Sequence, residues 1–196
     1  MTLLLASGSK TRSQILTNAK IPFKVVDHNT DEEEIKLSYS SLTLEQLAIK
    51  LSEMKALKPS LKYQNNFVIG ADQVLDFNGN IINKAADMNE ARNQLKQLQG
   101  KEHKLITSIV VAKNGNIVWR HCDTANISMR ELSDKQIDEY LNSINKEILG
   151  CVGAYAIEQE GIKILNKIDG DYFSILGLPL LPLTQFLWQN NILFNE

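Results

Sequence analysis

The chain has 196 residues, 43% of them hydrophobic, which is enough for a substantial core in a single domain over residues 1–196, with one lobe or two. Its 21 basic and 23 acidic side chains leave a net charge of −2, so the basic footprint of a protein that grips long nucleic acid is missing. No apolar run approaches the length of a membrane span, because Gly177, Pro179 and Pro182 break up the stretch Ile175–Leu187. No membrane partner is therefore expected.

Met1-Thr2 and the short apolar run Leu3–Ala6 lack the basic and long apolar regions of a secretory leader, so a soluble, cytoplasmic protein is expected. Cys122 and Cys151 lie far apart, without Cys-x-x-Cys spacing or a His at zinc-ligand intervals. They read as free thiols in a reducing compartment.

In chain order, Leu3-Leu4-Leu5-Ala6 reads as a buried strand breaking into the loop Ser7-Gly8-Ser9. A helix then starts near Lys10, with Ile15, Leu16 and Ala19 facing inward. Such a junction directs backbone N–H groups, two hydroxyls and the positive end of a helix dipole at one spot. Arg12 lies in the first turn, and an anion, above all phosphate, suits the place. The other reading is a plain capped turn.

Pro22 ends the helix and opens the strand Phe23–Val26. The acidic run from Asp27 to Glu34 is either a solvated loop leading to a helix or the source of a carboxylate for a divalent cation beside phosphate. Thr43 and Gln46 form a capping box for a helix with the stripe Leu44, Leu47, Ala48, Leu51 and Met54. Lys55 at the end of that stripe either reaches into a cleft or runs out to water, and its position favours water.

Phe67–Leu75 is apolar on both faces, as in a central strand, but Asp72 interrupts it after Gly70 and Ala71. A buried acid is costly unless it is paired, metal-bound or opened to a cleft. It either caps a neighbouring turn or serves as a catalytic carboxylate. Asn78-Gly79 predicts a hairpin that brings Lys84 to a strand end. Asp87–Gly100 is a capped helix with Ala91, Leu95 and Leu98 inward.

His103–Ala112 and Ile117–Ser128 are strands joined by Asn114-Gly115; Thr107 and Ser108 within them line a cleft or satisfy each other. Ser133 and Gln136 cap a further helix with Ile137, Tyr140 and Leu141 inward. Gly150–Ile157 is either a tightly packed connection or a lining with room for a flat base beside Tyr155. Ile162–Ile168 reads as a strand, and Pro179 opens a last helix through Trp188. Strands and helices intermix with hairpins, which points to an α/β fold with a mixed, twisted sheet.

Ala6-Ser7-Gly8-Ser9-x-x-Arg12, Asp31-Glu32, Lys55-Ala56, Gly70-Ala71-Asp72-Gln73-Val74, Lys84, Gly153-Ala154-Tyr155 and Gly177-Leu178-Pro179-Leu180 occur here in the order seen in the Maf family, which the whole chain resembles. That resemblance implies an inosine triphosphate pyrophosphatase-like fold, with helices in two lobes around a central cleft. It implies hydrolysis of a nucleoside triphosphate to the monophosphate and pyrophosphate, with Mg2+ or Mn2+. By matched position, Ser9 and Arg12 hold phosphate, and Ser7, Gly8 and Thr11 share that loop. Glu32 binds metal with Asp72, Lys55 and Lys84 contact the phosphate chain, and Asp72 is the general base.

The family often has Pro-Arg-Arg where this chain has Lys10-Thr11-Arg12, and Pro where it has Ala85. Gly153-Ala154-Tyr155 resembles the branch acting on dTTP and UTP, but a Gln stands there in place of Glu158. Glu158, with Asp72-Gln73 and Cys151-x-Gly153, resembles the branch acting on 7-methyl-GTP, although Thr11 stands where that branch carries a larger residue. The missing arginine leaves an alternative, a nucleotide-binding regulator of cell division with little turnover. The resemblance also implies a homodimer, to which the apolar region 178–194 either contributes or adds only core.

Overall fold

The structure, a computed structural model, describes residues 2–194. The chain divides into two compact units, one of Met1–Gln73, Thr107–Asp123 and Asp171–Glu196, the other of Val74–Ile106 and Thr124–Gly170. Together their elements are the mixed α/β set that the sequence predicts.

In the first unit, β1 (Leu3–Leu5) lies between β2 (Phe23–Val25) and β3 (Phe67–Phe77), parallel to both. Next to β3 come β5 (Glu102–Lys113) and then β6 (Asn116–Met129), of which this unit holds the portions through residues 107–123. The alternation of side chains sorts this sheet into two faces. Leu3, Leu5, Phe67, Ile69 and Ala71 pack with Ile15 and Leu16 of α1 (Lys10–Asn18) and with Leu183 and Phe186 of α7 (Leu180–Gln189). Leu4, Ala6 and Val68 turn the other way, as does Gly70, which meets α3 (Leu44–Lys62). With both faces covered, the strands are near-continuous apolar runs.

The connection from β1 to β2 runs through α1 on one face. The connection from β2 to β3 runs through α2 (Glu32–Ser38) and α3 on the other. The chain thus leaves β1 to one side and returns on its other side. Open α/β sheets take their ligands at such a reversal, beyond the carboxyl ends of the strands.

The buried face of α3 differs from the predicted stripe. It comprises Leu47, Ala48, Leu51, Ser52, Lys55, Ala56, Pro59 and Ser60, while Leu44 and Met54 are only half-buried. The helix is rotated toward its small residues because it lies almost on the backbone of β3. A Cβ on Gly70 would come 2.2 Å from the Ser52 carbonyl oxygen and 2.7 Å from the Ala56 nitrogen. Ala19, expected to face inward, is the exposed C-cap of α1.

The second unit pairs the end of β3 with β4 (Asn80–Ile82), antiparallel across the two-residue turn Asn78-Gly79. It also pairs the end of β6 with β7 (Leu165–Asp169). Helices α4 (Met88–Leu98) and α5 (Asp134–Ser143) pack together, and Arg92 reaches the Asp138 carboxylate with both Nε and Nη2. The predicted strand Ile162–Ile168 begins late. Glu160–Ile164 is a 3-10 turn, because Gly161 lies against the backbone of Ala156 and bends the chain before β7. In the first unit, α6 (Tyr172–Ile175) follows, capped by Asp171, and Pro179 caps α7 from outside.

Candidate active site

Asp72 stands on β3, three residues beyond Ile69, the partner of Leu5 at the last position of β1. The acid therefore projects past the end of its parallel neighbour, on the face that carries α3. There the Lys55 ammonium reaches Asp72 Oδ1 at 2.6 Å and Glu32 Oε1 at 2.7 Å. Glu32 opens α2, whose N-cap is Asp31, so its carboxylate also sits at the positive end of a helix.

Lys55 does not run to water as its position predicts. It is 4% exposed, because α3 presses so close to β3 that the side chain is enclosed and must find carboxylates. Asp72, 7% exposed, is paired rather than capping a turn.

The loop after β1 closes on itself. Ser7 Oγ accepts from the Ser9 amide at 3.2 Å and from Arg12 Nη1 at 3.2 Å, and Ser9 Oγ caps α1 by accepting from the Arg12 amide at 3.3 Å. Each hydroxyl oxygen thus accepts within the loop, and what it can offer an anion is its own O–H. Gly8 is exposed, with nothing within 4 Å of where a Cβ would be, and Thr11 is half-buried in the first turn of the helix.

Arg12 Nε donates to the Gly177 carbonyl at 2.7 Å and Nη1 to Ser7 Oγ, and together they fix the guanidinium plane. Burial pulls the Arg12 pKa down, and the charges of Asp72 and Glu32 push it back up. The loop and the acid pair thus act on each other electrostatically, although α1 and α3 cover opposite faces of the sheet.

Gln73 points to the face opposite Asp72. Its Nε2 lies 2.8 Å from Thr107 Oγ1, 3.1 Å from the Ser174 carbonyl and 3.0 Å from the Ile175 carbonyl. Carbonyls only accept, so the amide nitrogen is correctly placed there. Thr107 and Ser108 do not satisfy each other: Thr107 bonds Gln73, while the buried Ser108 hydroxyl has no hydrogen-bond partner among the described residues. The carbonyls that Gln73 holds belong to α6, two and three residues before Gly177. Sequence reasoning missed this bracing role, because nothing in the pattern signals contact between residues a hundred positions apart.

Lys84, Tyr155 and Glu158 lie in the second unit. Lys84 is exposed and forms a single bridge with Val152; its charge lowers the Cys151 pKa, while burial, the larger effect, and Glu158 raise it. Glu158 is exposed. Tyr155 is turned inward, 4% exposed, with its hydroxyl 2.7 Å from His103 Nε2. Tyr140 donates to the Ala154 carbonyl at 3.1 Å. Gly153 and Ala154 both have positive φ, 75° and 56°, so the Tyr140 hydroxyl holds a turn that costs backbone strain at Ala154. Residues 153–157 are all buried.

Burial holds His103 at a pKa of about 4, far below the ordinary 6.5, so it is neutral in the folded protein at pH 7. The unfolded chain binds this proton more readily, and stability falls as pH drops through 6.5 toward 4. This single group contributes on the order of 3 kcal/mol to that loss. Urea unfolding at pH 7 and pH 4.5 should record the slope, and His103→Gln should flatten it.

Both cysteines are free, and burial pushes the Cys122 thiol up to about 11, so it is no nucleophile at neutral pH. Among the described residues, no helix is long and apolar enough to cross a membrane. No group of three or more His, Cys, Asp or Glu among them is arranged to hold a metal. Glu32 and Asp72 nonetheless fit a smaller demand. Magnesium is commonly held by one or two carboxylates, with phosphate oxygens and waters completing its shell.

The family described as Maf-like protein matches residues 2–190. A nucleoside triphosphate pyrophosphatase of Caulobacter vibrioides is 44% identical over 185 residues, covering 93% of this chain and 92% of that one. One of Ruegeria pomeroyi with the same description is 42% identical, covering 94% of each. A 7-methyl-GTP pyrophosphatase of Brucella abortus is 43% identical, covering 92% of each. Among solved structures, the Staphylococcus aureus Ham1 protein matches 68% of this chain and 73% of its own at 19% identity, with a TM-score of 0.42. That likeness is too slight to carry the fold, which rests on the sheet described above. A match that runs from β1 into the end of α7 leaves one assignment: the chain belongs to the Maf-like protein family.

Proposed function

We propose that this protein hydrolyses a nucleoside triphosphate to the nucleoside monophosphate and pyrophosphate. The observation that carries the reading is the Asp72–Lys55–Glu32 cluster beyond the carboxyl end of β1, with the Ser7–Arg12 loop within its electrostatic reach. Water attacks the α-phosphorus as the bond to the bridging oxygen of the β-phosphate breaks. Asp72 orients that water and takes its proton. Arg12, with Ser9 and the backbone of Gly8 and Thr11, holds phosphate oxygens, and Ser7 braces the guanidinium.

Lys55 and Lys84 meet the charge that develops on the departing pyrophosphate. A Mg2+ or Mn2+ ion held by Glu32 and Asp72 would draw charge from the phosphate oxygens. The alternative, a regulator that binds nucleotide with little turnover, keeps the same loop and lacks only the chemistry.

Base choice rests on Glu158, an exposed carboxylate that can accept from the N–H edge of a guanine but cannot donate to a carbonyl. We read the preferred substrate as a guanine nucleotide, 7-methyl-GTP before dTTP or UTP. The turn at Gly153-Ala154, buttressed by Tyr155, sets the backbone that leads to Glu158.

The test is pyrophosphate release from GTP, 7-methyl-GTP, dTTP and UTP, with and without Mg2+ or Mn2+. Equimolar pyrophosphate and monophosphate, formed only with metal and fastest from 7-methyl-GTP, are expected. Orthophosphate as the product would overturn the reaction assigned here. Binding without turnover would favour the regulator.

A further inference from the structure

Lys55 occupies an unusual place for a residue assigned to a phosphate chain. Its ammonium touches no anion-binding loop; it bridges the two carboxylates assigned to the metal, at 2.6 and 2.7 Å. Its side chain is 5% exposed, and those of Asp72 and Glu32 are 9% and 35% exposed, so the pair is shielded on the Asp72 side and open on the Glu32 side.

Two neighbouring cations make their hydrogen bonds away from these carboxylates. Arg12 is tied to Gly177 and Ser7, and Lys58, one turn after Lys55 on α3, donates to the Asn29 carbonyl at 2.7 Å. Lys55 has a flexible four-carbon stem, and its ammonium can move while α3 stays fixed against Gly70.

We propose that Lys55 is a built-in substitute for the divalent cation. In the nucleotide-free protein its ammonium fills the space between Glu32 and Asp72, and it moves to the phosphates only when metal and triphosphate arrive together. This rests on the metal and phosphate roles assigned under the proposed function. Charge counting supports it. Two carboxylates and one ammonium leave a single negative charge. A divalent ion added alone would make the cluster positive and set two cations a few ångströms apart in a partly buried site. A triphosphate brings several negative charges, and both cations then have anionic oxygens to meet. Distance agrees as well: magnesium needs oxygens at about 2.0–2.1 Å, closer than they stand around the ammonium, so the two cannot share the place. Metal and nucleotide should therefore bind cooperatively, with Lys55 as the coupling element.

Mn2+ binding to the full-length protein, followed by the EPR signal of the free ion, tests this. Without nucleotide, Lys55→Met should bind Mn2+ about tenfold tighter than the wild type, and Lys55→Arg should not. With an α,β-methylene triphosphate, the advantage of Lys55→Met should disappear. Equal or weaker Mn2+ binding by a folded Lys55→Met without nucleotide would overturn the proposal.

If that variant does not fold, 15N NMR of the wild-type lysine ammonium groups decides instead. The protected Lys55 signal should survive Mg2+ alone, at a concentration that saturates the complex with the analogue, and shift only when the analogue is added. A shift with Mg2+ alone would refute the exchange. Tighter Mn2+ binding by Lys55→Met in a protein that releases no pyrophosphate would uphold the exchange and overturn the catalytic reading. Pyrophosphate release with unaltered Mn2+ binding would do the reverse.

Discussion

Asp72→Asn should lower turnover by about 10²–10⁴-fold while leaving the fold intact and nucleotide affinity, measured without divalent metal, within a few-fold of the wild type. The substitution keeps the shape of the side chain and an oxygen that can accept from Lys55, but removes the charge that draws a proton from water. Removing one member of a buried ion pair often costs several kcal/mol, because the other charge is stranded. Here Lys55 retains Glu32 at 2.7 Å, so the stability cost should be much smaller.

Pre-steady-state pyrophosphate release, with calorimetric titration of a non-hydrolysable triphosphate, separates the two effects. Normal turnover in Asp72→Asn would remove Asp72 from the role of base. Lost binding with the rate at saturation preserved would make it a ligand-positioning group instead.

Much of this site is legible in the residues themselves, for reasons that differ from one to the next. The helix start near Lys10 is legible because the pattern switches there from strand to helix, and the structure adds that the Ser9 side chain caps α1. Asp72 stands out because an acid within an otherwise apolar strand has to be compensated, and the compensation is Lys55. The capping boxes at Thr43 and Ser133 are present in full, since a hydroxyl and an amide three residues apart satisfy each other locally.

What the sequence hides is long-range. Nothing in the spacing of α3 says that Lys55 turns inward, because that follows from the absence of a side chain at Gly70, fifteen residues later. Nothing near Gln73 announces the carbonyls of α6, and nothing near Tyr155 announces His103. Periodicity reports which face of an element is apolar; it does not report how closely that face is approached.

The closeness of that approach leads to the largest stability effect expected here. Gly70→Val should destabilise the protein by about 3 kcal/mol or more, as overpacking against atoms that cannot yield does. The atoms facing a new Cβ are the Ser52 carbonyl oxygen at 2.2 Å and the Ala56 nitrogen at 2.7 Å, both backbone, and no change of rotamer relieves them. Helix α3 would have to withdraw from β3, breaking the Ser52 Oγ bond to the Ser108 carbonyl at 3.1 Å and drawing Lys55 away from Asp72.

Gly8→Ala is the fitting comparison. A Cβ there meets nothing within 4 Å, so the melting temperature should stay put even if the new methyl hinders an anion at the loop. Chemical denaturation of both variants reads the difference directly. A Gly70→Val protein as stable as the wild type would mean that α3 can retreat at little cost. The carboxylate–ammonium cluster would then owe its geometry to its own charges and not to the packing of the helix on the strand.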